Sequence, residues 1–499
     1  MRDASLSRGR IVYQVGADLW LYTIASDASE LVPVTLASDF DQLREKWVSK
    51  PMEYLTSAHL HPNGESVVLT ARGRVFVAPA GDGRFVRASR KPGVRYRDVV
   101  FMPDGEQLLG LTDETGELEF ASIPANGVGD ATPLTDDGTI LRFSGHPSPD
   151  GDKIAYTDNN RDLWLFDVAT KEQTLVSTNR EGVADITWSP DGSLVVYTQN
   201  APNSFAQIFL YRVEDGVRVA ATSDRVNSRS PSFSADGSFL YFLSDRDLRS
   251  TVTSPWGPRQ PEPYFDAPIK IYEIALRTGL RSPFKPKDEL APETSPETSD
   301  DTSDEDVPVE LDGIERRLKE LAVASGAYRG LSVSEKTLFW LAREGGREGK
   351  WHLKALPITN EKPEPVTVVE DVRTFELSRN GNKLLVRKSD DLYVFDAEPK
   401  AVAELKKHQV DLSGFRFSID VREDWRQLLI DAWRLERDYF YDPGMHGVDW
   451  DAALEKYAPL VDRIGRALSS AISSVVSSAS YRLSTRACAA AIIVAETTT

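Results

Sequence analysis

One phrase recurs along this chain and restricts its fold more than any other feature. It consists of an Asp-Gly or Asn-Gly turn, an alternating apolar run, a second such run and a charged turn. It appears as "HPNGESVVLTARGRVFVAPA" from His61, "SPDGDKIAYTDNNRDLWLFDVATKEQTLVS" from Ser148 and "SADGSFLYFLSDRD" from Ser234. The turn residues Asn63, Asp104, Asp150, Asp191 and Asp236 stand 41, 46, 41 and 45 residues apart, a period typical of propeller blades. Asp-Gly and Asn-Gly supply the positive φ of a tight hairpin turn, and runs such as "KIAYT" suit a pleated strand. Four short antiparallel strands bury both faces only by stacking on neighbouring units around a ring.

Seven units fit between Ala58 and Gln409, the last two degenerate, beginning at Ser332 and Ser378. The expected fold class is therefore all-β, a seven-bladed β-propeller over 58–410. The fifth unit carries an insertion, "RSTVTSPWGPRQPEPYFDAPIKIYEIAL", followed by the acidic stretch 287–312. Rich in Asp, Glu, Pro, Ser and Thr and free of aromatics, that stretch is expected to be disordered. Ahead of the ring, "GRIVYQVGADLWLYTIASDASELVPVTL" offers later strands with no first strand before them, so 1–57 reads as a partial blade plus a linker.

Beyond the ring the period changes from 2 to 3.6. Trp425, Leu428, Leu429, Ala432 and Trp433 lie on one face of an amphipathic helix. "YDPGMHG" ends it, Asp449 is a candidate N-cap for a second helix, and Pro459 should shorten that one. The segment 411–465 thus reads as the start of a helical domain. From Arg466 to Thr499 the 34 residues include 8 Ser, 8 Ala and only 4 charged groups, too few to give a helical domain a polar face. This tail reads as an unrelated terminus or an out-of-frame extension.

The net charge of −18 argues against nucleic acid or an anionic membrane as partner, since phosphate neutralisation supplies most of such affinity. No run approaches the ~18 apolar residues of a membrane helix. The first residues lack the apolar core of a signal peptide, so the expected location is cytoplasmic. Cys488 is the sole cysteine, which excludes an internal disulfide framework and a multi-cysteine metal site.

The order of a partial blade, seven blades with "SPWGPRQPEPYFD" inserted late, and then "WRLERDYFYDPGMHGVDWDAALEKYAPLVDRIG" resembles the tricorn protease family over about residues 8–464. The resemblance implies a six-bladed and a seven-bladed propeller, a small helical domain, a PDZ domain and a serine-peptidase core. It would make the front fragment the last blade of the six-bladed ring. It implies a cytoplasmic enzyme that degrades peptides, passes them through the propeller channel and forms homo-oligomers at full length. The family's catalytic histidine and an adjacent serine fall beyond Gly465 on this matching, and the nucleophile lies in the core. No catalytic, cofactor-binding or metal residue is therefore assigned, no cofactor is implied, and the chain alone is expected to be inactive.

His446, with Asp442 and Asp449 nearby, could be a base and its orienting carboxylates, but a corner histidine is the plainer reading. His59 and His61 are same-face neighbours on a strand without a carboxylate cluster to complete a metal site. Trp164, Trp188 and Trp340 fit blade strands. Each Asp-Gly turn carries a single carboxylate, too few for calcium. No G-x-S-x-G elbow is present, which argues against the prolyl-oligopeptidase type of propeller enzyme. The alternative is a stand-alone binding propeller of the translocation-associated (TolB-like) type, which would have no reason to carry the helical segment.

Overall fold

The computed structural model describes residues 2–15, 18–34, 39–138, 140–248, 265, 267–286, 309–344 and 348–463. The acidic stretch up to residue 308, nearly all of the insertion from Ser254, and the tail 466–499 lie outside the described residues. The chain divides into two compact units, one of residues 50–415 and one formed by 1–49 together with 416–499.

In the 50–415 unit, seven antiparallel sheets follow one another in chain order, each a meander of consecutive strands. Their first strands are Leu55–Leu60, Tyr96–Phe101, Arg142–Pro147, Val183–Trp188, Ser228–Phe233, Ala327–Val333 and Thr374–Leu377. Each first strand pairs only with the second strand of its own sheet. These first strands approach one another from blade to blade, and that of the seventh blade reaches that of the first. They are therefore the inner wall of a closed ring. The seven-bladed, all-β architecture read from the repeat is what the chain adopts. The ring begins at Leu55, ahead of the expected Ala58, because "LTSA" lines the inner wall and lacks the apolar alternation of a two-sided strand.

Between blades lie separate apolar cores. Leu194, Val196, Ile208 and Leu210 of blade four pack on Leu240, Phe242 and Ile274 of blade five, and Tyr241 and Leu243 of blade five meet Leu338 and Trp340 of blade six. Trp340 is thus core, as expected. Trp164 and Trp188 are half-buried and donate to Asp158 Oδ2 and to the His146 carbonyl, each at 2.9 Å.

The turn chemistry explains why Ser and Asp recur. In blade three, Ser148 Oγ donates to Asp150 Oδ1 (2.5 Å), which accepts from the Asp152 amide (3.0 Å), while the Lys153 amide donates back to Ser148 Oγ (2.9 Å). The Ser148 hydroxyl holds the Asp150 carboxyl below its usual range. The same closed loop recurs at Ser189–Asp191 and Ser234–Asp236, and Asn380 replaces the carboxylate in blade seven. Each turn carboxylate is consumed by its own turn.

Among the described residues, no strand is exchanged between the first and last blades; each sheet is formed within its own stretch of chain. Side chains and turns join them instead. His59 Nδ1 meets Glu376 Oε2 at 3.2 Å, the Leu60 amide donates to Glu376 Oε1 at 3.3 Å, and the Asn380 amide donates to the Pro62 carbonyl at 3.1 Å. Gly64, at φ +84°, lies so close to Lys383 that a Cβ there would stand 2.3 Å from Lys383 Cγ. After blade seven the chain crosses back, and Phe415 packs edge-on against Phe76 of blade one at 5.1 Å.

The other unit corrects one expectation. Its front sheet is not a partial blade. Arg2–Ser7 pairs with Arg10–Val15, completing a four-stranded sheet through Asp18–Thr23 and Ala28–Val32. The first strand escaped notice because "RDASLS" offers only Ala4 and Leu6 as apolar residues; its described side chains are exposed and it holds by backbone pairing. Asp3 sits at φ 51° in a break of register, the same bulge that marks inner strands of the ring. Lys46–Trp47 pairs with Ser418–Ile419. The helix α1, Val421–Tyr439, is capped by Asp420, whose carboxylate accepts from the Arg422 and Glu423 amides. The helix α2, Trp450–Tyr457, is capped by Asp449 and stops short of Pro459. The two are tied reciprocally: Trp433 Nε1 donates to the Trp450 carbonyl (2.8 Å) and Trp450 Nε1 to that of Trp433 (3.0 Å).

Candidate functional site

Five inner strands of the ring lead into their turn in one repeated way, which orders their side chains into tiers. The turn's first residue is His61, Met102, Ser148, Ser189, Ser234, Ser334 and Ser378 in blades one to seven. Two positions before it stand His59, Val100, His146, Thr187, Ser232, Ser332 and Glu376, all partly exposed towards the channel. Four positions before it, Asp98, Asp185, Ser230 and Gly330 have φ between 50° and 59°. They occupy β-bulges, where the strand twists and re-aims the flanking side chains. The residue just ahead of the bulge is Arg97, Arg229 or Arg329 in blades two, five and six, and Arg373 holds the same offset in blade seven. All four arginines are exposed.

The middle tier is electrostatically divided. Burial lowers the pKa of His59, but the Glu376 carboxylate and Asp98 outweigh it and leave the imidazole above its ordinary value. His146 has no such carboxylate. Burial, and then the positive field of His59, lower it to about 4. At neutral pH the lumen thus presents a His59–Glu376 pair and a neutral His146.

At one rim, Arg329 lies over the Trp351 ring at 4.1 Å and donates to the Arg373 carbonyl at 2.9 Å. Arg343 lies on the same ring at 5.3 Å. At the other rim stand the turn residues Pro62, Pro103, Pro149, Pro190, Ala235, Glu335 and Arg379. Burial lowers the Arg379 pKa, with Asp150 of blade three acting against it.

The residues singled out by sequence fall as follows. His59 and His61 diverge: the first turns to Glu376, the second to the Gly105 carbonyl (3.2 Å) and the edge of Phe101. His446 is exposed in the corner between α1 and α2, at φ 53°, held by Asp442 Oδ2 (3.2 Å) and the Tyr441 hydroxyl. Asp449 is engaged as the α2 cap instead of joining it. Among the described residues, none of these three histidines bonds a serine. Glu376, Asp98, His146 and the rim arginines escaped the sequence reading. Aligning the repeats on their turns and reading down each column would have found them.

A ring of antiparallel blades, six of four described strands and the seventh of three, around a charged channel, followed in the chain by a two-helix segment, defines a propeller-containing chain whose lumen is its principal site. The "Tricorn protease second beta propeller domain" family matches residues 55–398, and the "Tricorn protease C1 domain" family matches 421–467. This chain belongs to the tricorn protease family. It is 30% identical over 475 residues to a tricorn-like protease C-terminal subunit of Sulfurisphaera tokodaii, covering 93% of this chain and 52% of that protein. It is 27% identical to a tricorn protease homolog of Saccharolobus solfataricus, covering 93% and 42% respectively. The crystal structure of the tricorn protease superposes with a TM-score of 0.72 at 19% identity, over 94% of this chain and 44% of that one. The chain therefore spans about half the length of the relatives it matches.

Proposed function

We propose that the ring is the peptide-conducting part of a tricorn-like serine protease, and that cleavage is carried out by groups other than those in these 499 residues. The observation that carries this reading is the lumen: polar and charged side chains at repeated offsets on seven inner strands, with family membership supplying the peptide. Acyl transfer needs a nucleophile, a base and oxyanion donors held together, and His59, His61 and His446 are tied to carboxylates, a phenol and a carbonyl instead. The match of the helical segment favours this reading over a stand-alone binding propeller. No helix among the described residues is long and apolar enough to cross a membrane. We place the protein in the cytoplasm and its full-length form in a homo-oligomer.

The test pairs binding with hydrolysis. A fluorescent, extended peptide should bind the chain and remain intact. Thr187→Trp with Ser232→Trp, which fills the middle tier, should abolish binding. Peptide hydrolysis that is lost in His446→Asn would overturn the reading and make His446 a base; Asn is chosen because it tolerates the left-handed backbone there.

A further inference from the structure

The arginines at the rim are unevenly placed. Blades five, six and seven contribute Arg229, Arg329 and Arg373 in succession, at one repeat offset. The carboxylates of the adjoining bulge tier, Asp98 and Asp185, sit on blades two and four. Asp185 is already engaged, accepting from the Ser230 amide at 2.9 Å and from Thr198 Oγ1 at 3.1 Å. Behind the rim stand two more guanidiniums, Arg343 and Arg387. The acids close to this arc are largely spoken for: Asp371 pairs with Lys350 (2.6 Å), Glu344 with Lys354 (2.7 Å), and Asp390 lies 4.0 Å from Arg387. Burial and then Arg343 lower the Arg329 pKa, and burial and then Arg373 lower that of Arg387, so like charges crowd here.

The packing also prepares these groups for a ligand. Arg329 lies over Trp351 at 4.1 Å and spends one terminal N–H on the Arg373 carbonyl, which together order the guanidinium, and a planar fork ordered in advance loses little freedom on pairing with a carboxylate. The bulges at Ser230 and Gly330 fix the directions of Arg229 and Arg329. Three guanidiniums spread over three consecutive blades match several carboxylates along an extended strand better than one terminal carboxylate.

We propose that the blade five-to-seven arc, Arg229, Arg329 and Arg373, is a selectivity collar that takes the acidic side chains of an extended peptide at the channel rim. It rests on the reading of the channel as a peptide passage and assigns that passage a charge preference. Exposed pairs of this kind are each worth a few-fold in affinity and are screened by salt. A peptide with several glutamates should therefore bind about tenfold tighter than its glutamine counterpart at low ionic strength, with the difference shrinking as salt is added.

The experiment uses the whole chain and three labelled peptides of one length, all acetylated and amidated: Glu-rich, Gln-rich and Lys-rich. Fluorescence anisotropy should rank them in that order, and Arg229→Gln with Arg373→Gln should bring the Glu-rich peptide to within about threefold of the Gln-rich one, at unchanged melting temperature. Equal binding of Glu- and Gln-rich peptides, or a Glu preference that survives the double substitution, would overturn the collar and leave the passage standing. A Gln-rich peptide that gains as much from a free C-terminus as from glutamates would also overturn it, in favour of terminal-carboxylate capture. Failure of every peptide to bind would remove the passage itself.

Discussion

His146 makes the ring's stability depend on acidity in a defined window. Its imidazole takes a proton near 6.5 in an unfolded chain, but at about 4 in the ring, because burial and the neighbouring His59 oppose the charge. Between those two values the unfolded state binds more protons than the folded one, so stability is full above pH 6.5 and falls as pH drops towards 4. The whole difference is about 3 kcal/mol, of which about 2.5 kcal/mol is lost by pH 4.5. His59 acts with the opposite sign. Its folded pKa is raised, so its contribution is complete below 6.5 and is lost only as pH climbs through the folded value. The turn aspartates, whose pKa values are lowered, yield their contribution only as pH falls below their unfolded 3.8. Glu273, whose carboxyl burial raises above its usual range, gains its proton within the same interval and acts with the opposite sign, so His146 is isolated by the difference between the native protein and a variant that keeps Glu273. The perturbation is His146→Thr, the residue at the same offset being Thr187 in the next blade. Urea unfolding at pH 7.0, 6.0, 5.0 and 4.5 should show the native protein losing about 2 to 3 kcal/mol more than the variant. Carbon-labelled histidine NMR, with only six imidazoles to assign, reads the same quantity directly. Parallel pH profiles, or a His146 resonance titrating near 6.5, would refute the reasoning.

Other expectations follow from single contacts. Arg142, fully buried against Glu119 Oε2 (2.8 Å) and Asp137 Oδ2 (2.5 Å), should cost about 3 kcal/mol when changed to Met, because Glu119 is left buried without its cation; pairing it with Glu119→Leu should recover most of the loss in denaturant unfolding. Gly64→Ala should cost about 1–3 kcal/mol, since it adds a left-handed φ penalty to a collision with the Lys383 side chain, and Lys383→Ala should relieve the second part. Asp420→Ala removes the acceptor of two amides at the start of α1 and should cost about 1 kcal/mol, seen as earlier loss of helical circular dichroism on heating.

The blades were legible because their turns are chemical necessities: Ser-x-Asp-Gly closes a hydrogen-bonded loop that tolerates few substitutes, so the period stays visible even where strands drift. The helices were legible for a similar reason, since Asp420 and Asp449 cap where the apolar spacing begins. What stayed hidden holds by other means. The strand Arg2–Ser7 is made by backbone pairing, and its two apolar residues, Ala4 and Leu6, are exposed, so no strong apolar run announces it. The Arg142–Glu119 pair spans 23 residues across two blades, and neither residue differs in sequence from a surface charge. The lumen residues were missed because a channel wall is half solvent-facing, and a histidine or glutamate there reads as an ordinary exposed strand position.

The absence of an exchanged strand has a consequence in time. Every blade is a meander whose pairings lie within a few dozen residues of one another, so each can zip as soon as it is made. The seam is different, because His59 must wait for Glu376, which lies 317 residues further along. At the roughly 5–20 residues per second of synthesis, the first blade stands with its flank uncovered for about 15–60 s before the last one arrives. Contacts made so late contribute little to the folding barrier and act mainly on the rate of opening. The His59–Glu376 pair, the Pro62 carbonyl and Phe415 on Phe76 therefore decide how long a closed ring lasts, while the repeated turns decide how quickly one is assembled.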